Sequence, residues 1–263
     1  MKRILLLSLL LSLLLPLSAC SVLYPGFTAK EPSLAGMEIG KTTYRQALGK
    51  QGTPAMSVME YPQGMRTTYL FKTPEAIIDR GEIMRGSYRD GCRKCGQLTL
   101  AFERTDRSVD NMVLVGIARS TPDLQKQHES GLGHINRGEF QLALPLIEAA
   151  AQGRYNEAEW TLGLMHLRGD GVARDFSQAH FWLRRAAATG HIQARYDLGA
   201  MYRNGEGVAV NREAAKALYL MSAQAGYALA AQELAKLYQE EGDQANAAKW
   251  QEFARKEAAR PAR

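Results

Sequence analysis

Two cysteines separated by two residues have the spacing in this sequence that most directly suggests chemistry. Cys92 and Cys95 lie in Gly-Cys-Arg-Lys-Cys-Gly, and such a pair can form a redox couple, half of a zinc site or a local disulfide. Zinc needs four ligands, no second cysteine pair exists, and His128 and His134 are too generic to complete the set. Redox pairs usually begin a helix, whereas glycines flank this pair and a strand is predicted after it. The spacing therefore favours a structural disulfide over redox chemistry, and either of these over a metal site.

No other pattern in the sequence predicts catalysis. There is no nucleophile elbow, phosphate-binding loop, His-Glu-x-x-His motif or paired-carboxylate motif. The histidines lie mostly at repeating positions where packing explains them; they are His128, His134, His166, His180 and His191. We expect no enzymatic activity, no cofactor and no small-molecule substrate.

The third cysteine ends the one long apolar run of the chain. Lys2 and Arg3 precede apolar or small residues 4–17, which lead to Ser-Ala-Cys at 18–20. The run is shorter than the ~20 residues of a spanning helix, so it predicts a secretory signal. The segment Leu-Ser-Ala-Cys at 17–20 resembles the lipobox of bacterial lipoproteins. An ordinary signal peptide with an incidental cysteine is the alternative.

The lipobox resemblance implies a membrane anchor. It implies removal of residues 1–19, a diacylglycerol on the Cys20 thiol and an acyl chain such as palmitate on its amine, which together anchor stably. Ser21 at the next position implies the outer membrane, with the chain facing the periplasm. Cleavage lowers the net charge from +6 to +4, because Lys2 and Arg3 are lost. With no nucleic-acid-binding motif, that mild charge disfavours a nucleic-acid partner, and the oxidising compartment favours a Cys92–Cys95 disulfide.

A membrane tether over 20–35 and a small α+β domain over 36–118 are predicted next. Thr42 and Gly49 have the residue types of an N-cap and a C-terminal cap around a short helix. Alternating apolar residues predict three antiparallel strands at 67–71, 97–103 and 111–117, with Leu98, Leu100 and Phe102 on one face.

This pattern is similar to the SmpA/OmlA (BamE-like) family of small lipoprotein domains. The resemblance rests on Gly-Met at 36–37, Ala-Leu-Gly at 47–49 with Pro54, and the final hairpin. It implies an accessory role in outer-membrane β-barrel assembly. The insertion at 73–96 has no counterpart in that pattern.

From about residue 122 the sequence repeats itself at a step of 36 residues. Ala158, Ala194 and Ala230 keep this step, as do the Leu-Gly pairs and Gly-x-Gly-Val loops around them. Such a period predicts stacked helical hairpins. Close helix crossings and positive φ angles explain why glycines recur at this step. The repeated glycines are Gly163 and Gly199 at the crossings, and Gly169, Gly171, Gly205 and Gly207 in the loops.

The pattern A-x-x-x-L-G-x-x-[YH]-x-x-G-x-G-V-x-x-[DN]-x-x-x-A resembles Sel1-like repeats, relatives of tetratricopeptide repeats. The hairpins are predicted at about 122–153, 154–189, 190–225 and 226–258. The fold class is therefore an α-helical solenoid of helix-turn-helix repeats, preceded by a small α+β domain with a three-stranded antiparallel sheet.

Arrays of this kind present a groove, and the sequence predicts which residues line it. With Ala158 and Leu162 inside the stack, helical spacing places other positions on the opposite side. These groove candidates are Glu157, Trp160, Leu164, Gln193, Tyr196, Arg203, Gln232, Lys236 and Gln239. They would suit an extended peptide of acidic or C-terminal character, whereas packing against adjacent helices is the other explanation for Trp160 and Tyr196.

We expect a lipid-anchored adaptor that binds envelope proteins or peptides through this groove. An accessory of β-barrel assembly acting through residues 36–118 is the alternative, and thiol–disulfide exchange at Cys92 and Cys95 is the enzymatic one.

Overall fold

The structure is a computed structural model. It describes residues 27–28, 33–51, 56–60, 64–71, 77–78, 92–93, 95–103 and 112–260. The predicted signal, Cys20, nearly all of the tether before residue 33 and most of the insertion at 73–96 lie outside the described residues. The chain divides into two compact units, Met1–Pro122 and Asp123–Arg263. Among the helices that are described, none has both the length and the apolar character needed to cross a membrane.

The first unit is built around an antiparallel sheet. Its elements are β1 (Phe27–Thr28), α1 (Tyr44–Gln51), β2 (Met56–Glu60), β3 (Gly64–Phe71), β4 (Ile77–Ile78), β5 (Cys92–Arg93), β6 (Gly96–Glu103) and β7 (Val113–Ser120). β3, β6 and β7 are the three predicted strands, and they pair antiparallel in the order β3-β6-β7. Two further strands pair with β3: β2 is antiparallel to it and β1 is parallel to it. β4 and β5 form a separate antiparallel pair. Two-residue strands such as β1 are too short for a periodic signal.

One face of the sheet buries the apolar side chains that alternate along β6. Leu98, Leu100 and Phe102 are essentially inaccessible, as the alternation predicts. The ring of Tyr44 at the start of α1 meets Phe102 edge to face, with 5.3 Å between centroids. Apolar burial of this kind contributes about 25 cal/mol per Å², so this contact ties α1 to the sheet.

The cap of α1 differs by one residue from the prediction. Thr43 is the capping residue, because its Oγ1 accepts from Gln46 N at 3.3 Å and Gln46 Oε1 accepts from Thr43 N at 2.8 Å. This reciprocal pair is a capping box. Thr42 is buried, and its Oγ1 accepts from Glu38 N at 2.7 Å. Gly49 lies inside the helix, which continues to Gln51.

The second unit consists of helices paired into hairpins. The helices are α2 (Pro122–Asn136), α3 (Phe140–Gln152), α4 (Asn156–Arg168), α5 (Phe176–Ala188), α6 (Ile192–Asn204), α7 (Arg212–Gln224), α8 (Ala228–Glu240) and α9 (Gln244–Ala258). α2, α4, α6 and α8 are the first helices of their hairpins, and the others are the second helices. α5 packs against both α4 and α6, and α7 packs against both α6 and α8.

Buried apolar clusters lie between successive hairpins. One joins Ile147 and Ala151 on α3 to Ala158 and Leu162 on α4. The next joins α5 to α6, and a third spans α7, α8 and α9. Because each cluster needs side chains from two hairpins, a single hairpin cannot bury its apolar surface alone.

The long loops of the central hairpins start at predicted glycines and end at side-chain caps. Gly169 and Gly205 end α4 and α6 in the left-handed conformation, with φ of 85° and 75°. Asp175 accepts from Ser177 N and Gln178 N at the start of α5. Asn211 accepts from Ala214 N at the start of α7. Each cap satisfies helix-end donors that have no partner within the helix.

Two glycines allow the helices of a hairpin to cross closely. A Cβ on Gly163 would lie 2.8 Å from Leu183 Cγ, and one on Gly199 would lie 2.8 Å from Tyr219 Cε1. Leu183 and Tyr219 are both fully buried, so they have little room to move. The crossing therefore requires the absence of a side chain.

We predict opposite effects for two glycine-to-alanine substitutions in these helices. Gly163→Ala should lower the free energy of unfolding by about 1–3 kcal/mol through overpacking against Leu183. Gly133→Ala on α2, where the nearest atom is the flexible Arg137 guanidinium at 3.6 Å, should raise it by about 0.5–1 kcal/mol through helix propensity. Chemical denaturation followed by circular dichroism measures both. A Gly163→Ala variant as stable as wild type would contradict the close crossing.

Candidate protein-binding face

The predicted groove residues lie on the first helices of three successive hairpins. We call the side of α4, α6 and α8 that carries them the first-helix face. Its members are Glu157, Trp160 and Leu164 on α4, Gln193, Tyr196 and Arg203 on α6, and Gln232, Lys236 and Gln239 on α8. The three α8 residues are exposed and the others are half-buried. The opposite side of each helix is buried through Ala158 and Leu162 or their equivalents, so helical spacing accounts for the position of the face.

Trp160 and Tyr196 both contact the next hairpin. Trp160 Nε1 donates to Asp197 Oδ2 at 2.7 Å, and its ring packs on that of His191 with 4.9 Å between centroids. The Tyr196 ring meets Tyr227 edge to face at 5.3 Å. Burial raises the pKa of Asp197, and the Trp160 hydrogen bond opposes that effect. These aromatic residues therefore take part in the stacking of the array, as the packing explanation predicted.

The two predicted cations of the face are already paired with carboxylates. Arg203 Nη1 donates to Glu233 and its Nη2 donates to Glu240 Oε1 at 2.8 Å. Lys236 Nζ lies 2.6 Å from Glu233 Oε1. Because these partners offset the positive charge, the expected preference for an acidic peptide loses its electrostatic basis. The sequence did not predict this pairing, since Glu233 and Glu240 follow Arg203 by 30 and 37 residues.

Glu157 is linked to the start of α6 through a histidine. His191 Nε2 donates to Glu157 Oε2 at 3.0 Å, while His191 Nδ1 accepts from Ala194 N at 3.1 Å. The hydrogen bond from His191 lowers the pKa of Glu157. The sequence assigned His191 to packing only. Its position directly before a first helix is the signal that could have identified it as a cap.

The remaining loop glycines act where the loop meets the preceding hairpin. Gly171 and Gly207 have φ of 76° and 71°. A Cβ on Gly171 would lie 2.7 Å from Phe140 Cβ, and one on Gly207 would lie 2.7 Å from the Phe176 carbonyl oxygen. Each loop therefore closes onto the start of the second helix of the hairpin before it.

The cysteine pair is described in part. Cys95 is disulfide-bonded, whereas the side chain of Cys92 is not among the described side chains. Within the described residues, no group of three or more His, Cys, Asp or Glu side chains could hold a metal ion.

A carboxyl group is buried behind the face, between α4 and α5. Glu159 has no solvent-exposed side-chain surface, and Arg185 Nη2 lies 2.6 Å from its Oε1. The two carboxylate oxygens make no well-aligned hydrogen bond, so we interpret the contact as an ion pair of imperfect geometry. Burial raises the pKa of Glu159 to about 7, against the opposing effect of Arg185.

Comparison with known proteins identifies the repeat type. The Sel1 repeat family model matches residues 156–191 and 192–227. This match confirms the helical repeat class expected from the 36-residue step. A comparison with curated proteins finds no matching sequence.

Three solved structures illustrate the similarity. The c5321 protein, a protective antigen of uropathogenic Escherichia coli with an SLR fold, is 30% identical over 51% of this chain and 30% of its own, with a TM-score of 0.49. A Sel1 repeat protein from Oxalobacter formigenes is 26% identical over 51% and 58%, with a TM-score of 0.48. Helicobacter pylori cysteine rich protein B is 19% identical over 41% and 92%, with a TM-score of 0.33. The chain spans less than two thirds of the length of the first two proteins.

Sel1 repeats are generally non-catalytic scaffolds that typically bind proteins, although some Sel1 repeat proteins are enzymes. The expectation of a protein partner is supported to that extent, and the partner is unidentified.

We predict that Glu159 makes stability decrease as the pH rises. The pKa is about 7 in the folded chain and 4.5 ordinarily, so the protonated group favours folding most below pH 4.5, and this contribution is lost as the pH rises through 7. The stability of Glu159→Gln relative to wild type should therefore increase between about pH 5 and 7.5, as measured by urea denaturation. Glu213→Gln, at an exposed position on α7, is the control. A constant difference between Glu159→Gln and wild type would contradict the prediction.

Proposed function

We propose that this chain, whose second unit contains a Sel1 repeat array, is a lipid-anchored envelope protein that acts as a protein-binding adaptor. In this proposal the first-helix face binds the partner. Cys20 carries the lipid, the outer membrane is the site of anchoring, and the chain faces the periplasm. It acts as a scaffold without catalysis.

The composition of the first-helix face supports this proposal. Leu164 and Tyr196 are half-buried, while Gln232 and Gln239 are exposed on the next first helix. Apolar and aromatic surface together with side-chain amides can contact a polypeptide, because the amides donate to and accept from its backbone. The positive charge of Arg203 is offset by Glu233 and Glu240. We therefore propose a partner that is recognised by shape and hydrogen bonds more than by net charge.

The face is also held rigid before any partner arrives. Trp160 is held by Asp197, and Arg203 by Glu233 and Glu240, on the next first helix in each case. A surface that is already ordered loses less conformational entropy on binding. This preorganisation is the single structural observation that most favours a binding role for the face.

We predict that charges placed on the face abolish partner capture. Gln232→Lys together with Gln239→Lys should remove one or more envelope proteins that the full-length wild-type chain recovers after crosslinking in intact cells. The two positions are exposed on α8, so the substitutions should leave the free energy of unfolding within about 0.5 kcal/mol. Quantitative mass spectrometry of the captured proteins is the measurement.

A matched control uses the same substitution on second helices. Gln178 on α5 and Gln224 on α7 are also exposed, and Gln178→Lys with Gln224→Lys should recover the same proteins as wild type. Equal recovery by both double variants would refute the role of the first-helix face.

A second candidate function is favoured by the first unit. Its short helix and the strands β3-β6-β7 are the elements on which the BamE-like resemblance rests. An accessory of outer-membrane β-barrel assembly acting through that unit would recover barrel-assembly proteins with the wild type and both double variants alike. The same capture experiment therefore separates the two functions.

We predict that the anchor depends on Cys20. Cys20→Ala should abolish incorporation of labelled palmitate and leave residues 1–19 attached, because both the thiol that carries the diacylglycerol and the cleavage site are lost. Metabolic labelling and intact-protein mass spectrometry measure these two effects. Cys95→Ala should still incorporate palmitate. Palmitate incorporation by Cys20→Ala would contradict the lipid attachment.

A further inference from the structure

Two buried histidines join three successive first helices at one turn of α4. His128 lies on α2 and His191 directly precedes α6, and they are 6% and 4% exposed. His128 Nε2 is 2.9 Å from Thr161 Oγ1, and His191 Nε2 is 3.0 Å from Glu157 Oε2. Glu157 and Thr161 are one turn apart on α4, so the two contacts meet there. We call these four residues the histidine joint.

The hydrogen bonds determine which nitrogen of His191 carries the proton. Its Nδ1 accepts from the Ala194 backbone N–H, so Nδ1 must be unprotonated. Its Nε2 faces the Glu157 carboxylate, which can only accept, so Nε2 carries the hydrogen. His191 is therefore a neutral N-cap of α6, and the cap requires the neutral form.

The same argument applies to His128. Thr161 Oγ1 donates its proton to the Glu157 carbonyl at 2.9 Å. The hydroxyl oxygen is then free only to accept, so His128 Nε2 donates to it. His128 is thus also compatible with the neutral form, and burial lowers its pKa.

The charged groups around the joint come from all three helices. Glu157 on α4 faces both histidines, and Glu129 on α2 faces His128. Asp197 on α6 faces His191, and the charge of Arg168 at the end of α4 acts to lower the pKa of Asp197. Tyr155, before α4, packs edge to face on His128 at 5.4 Å. Glu157 and Glu129 favour the imidazolium form of His128, whereas burial opposes it and lowers its pKa.

We propose that the histidine joint is an acid-sensitive switch that uncaps α6 when His191 takes up a proton at Nδ1. The added N–H points at the Ala194 N–H, so the cap is lost and the imidazolium is drawn toward Glu157 and Asp197. Trp160 packs on the His191 ring and donates to Asp197, so its environment changes in the same step. Protonation of His128 weakens the link between α2 and α4, because the charge is buried.

The switch acts on the first-helix face, since Glu157 and Trp160 belong to that face. Acid would therefore loosen the face next to these two residues and weaken the binding of a partner there. That consequence rests on the proposed function. The uncapping itself does not, because it depends only on the contacts of His191 within the chain.

The test follows the Ala194 amide and the Trp160 indole N–H by nuclear magnetic resonance from pH 7.5 to 5. In the full chain, both signals should shift as the pH falls. Exchange of the Ala194 amide, corrected for the intrinsic effect of pH, should become about fivefold faster at the acid end, which corresponds to the loss of a typical N-cap.

Two variants make the test specific. His191→Asn keeps an acceptor for the Ala194 N–H but does not titrate, so the Ala194 signal should become independent of pH, while the Trp160 signal still reports on its acceptor Asp197. His134→Asn removes a histidine that lies outside the joint, where it contacts Glu139, and should behave like wild type. An Ala194 signal that is independent of pH in wild type, or that still depends on pH in His191→Asn, would overturn the switch. If partner capture fails while these titrations occur, the binding function is wrong and the switch stands.

Discussion

The close crossing of the two helices in each central hairpin is the constraint on which the array depends. Gly163 and Gly199 leave the space that the buried side chains of Leu183 and Tyr219 fill. Helices this close leave little rotational freedom, because their side chains interdigitate. The crossing thus determines which side of each first helix is buried and which side remains at the surface. The clusters between hairpins then repeat this orientation along the array.

Stacking and surface chemistry share the same residues on the first-helix face. Trp160 belongs to the proposed binding face, and it also holds Asp197 of the next hairpin. Arg203 likewise pairs with Glu233 and Glu240. Exposed ion pairs contribute little alone, but contacts that span two hairpins also orient one hairpin against the next. Residues that orient the array therefore have fewer free polar groups for a partner, which leaves exposed side chains such as Gln232 and Gln239 as the unobstructed part of the face.

The first unit shows where sequence patterns succeed and where they fail. The alternation of Leu98, Leu100 and Phe102 was sufficient to predict β6, because burial on one face imposes a period of two. β2 and β1 were missed, since pairing with β3 rather than their own alternation makes them strands. Thr43, and not the predicted Thr42, caps α1, because Gln46 completes a capping box with Thr43. Thr42 Oγ1 instead accepts from the backbone N–H of Glu38.

Local rules, by themselves, determined the repeats and their glycines, since a left-handed loop or a close crossing requires a particular residue type wherever it occurs. They also predicted which positions of a first helix lie opposite its buried side, because helical spacing depends on the chain alone. Only the tertiary structure decided what those residues contact. The charge of Arg203 is offset by carboxylates 30 and 37 residues further along the chain, and His128 is hydrogen-bonded to Thr161, which follows it by 33 residues. Such contacts depend on how one hairpin stacks on the next, and a pattern within one repeat does not contain that information.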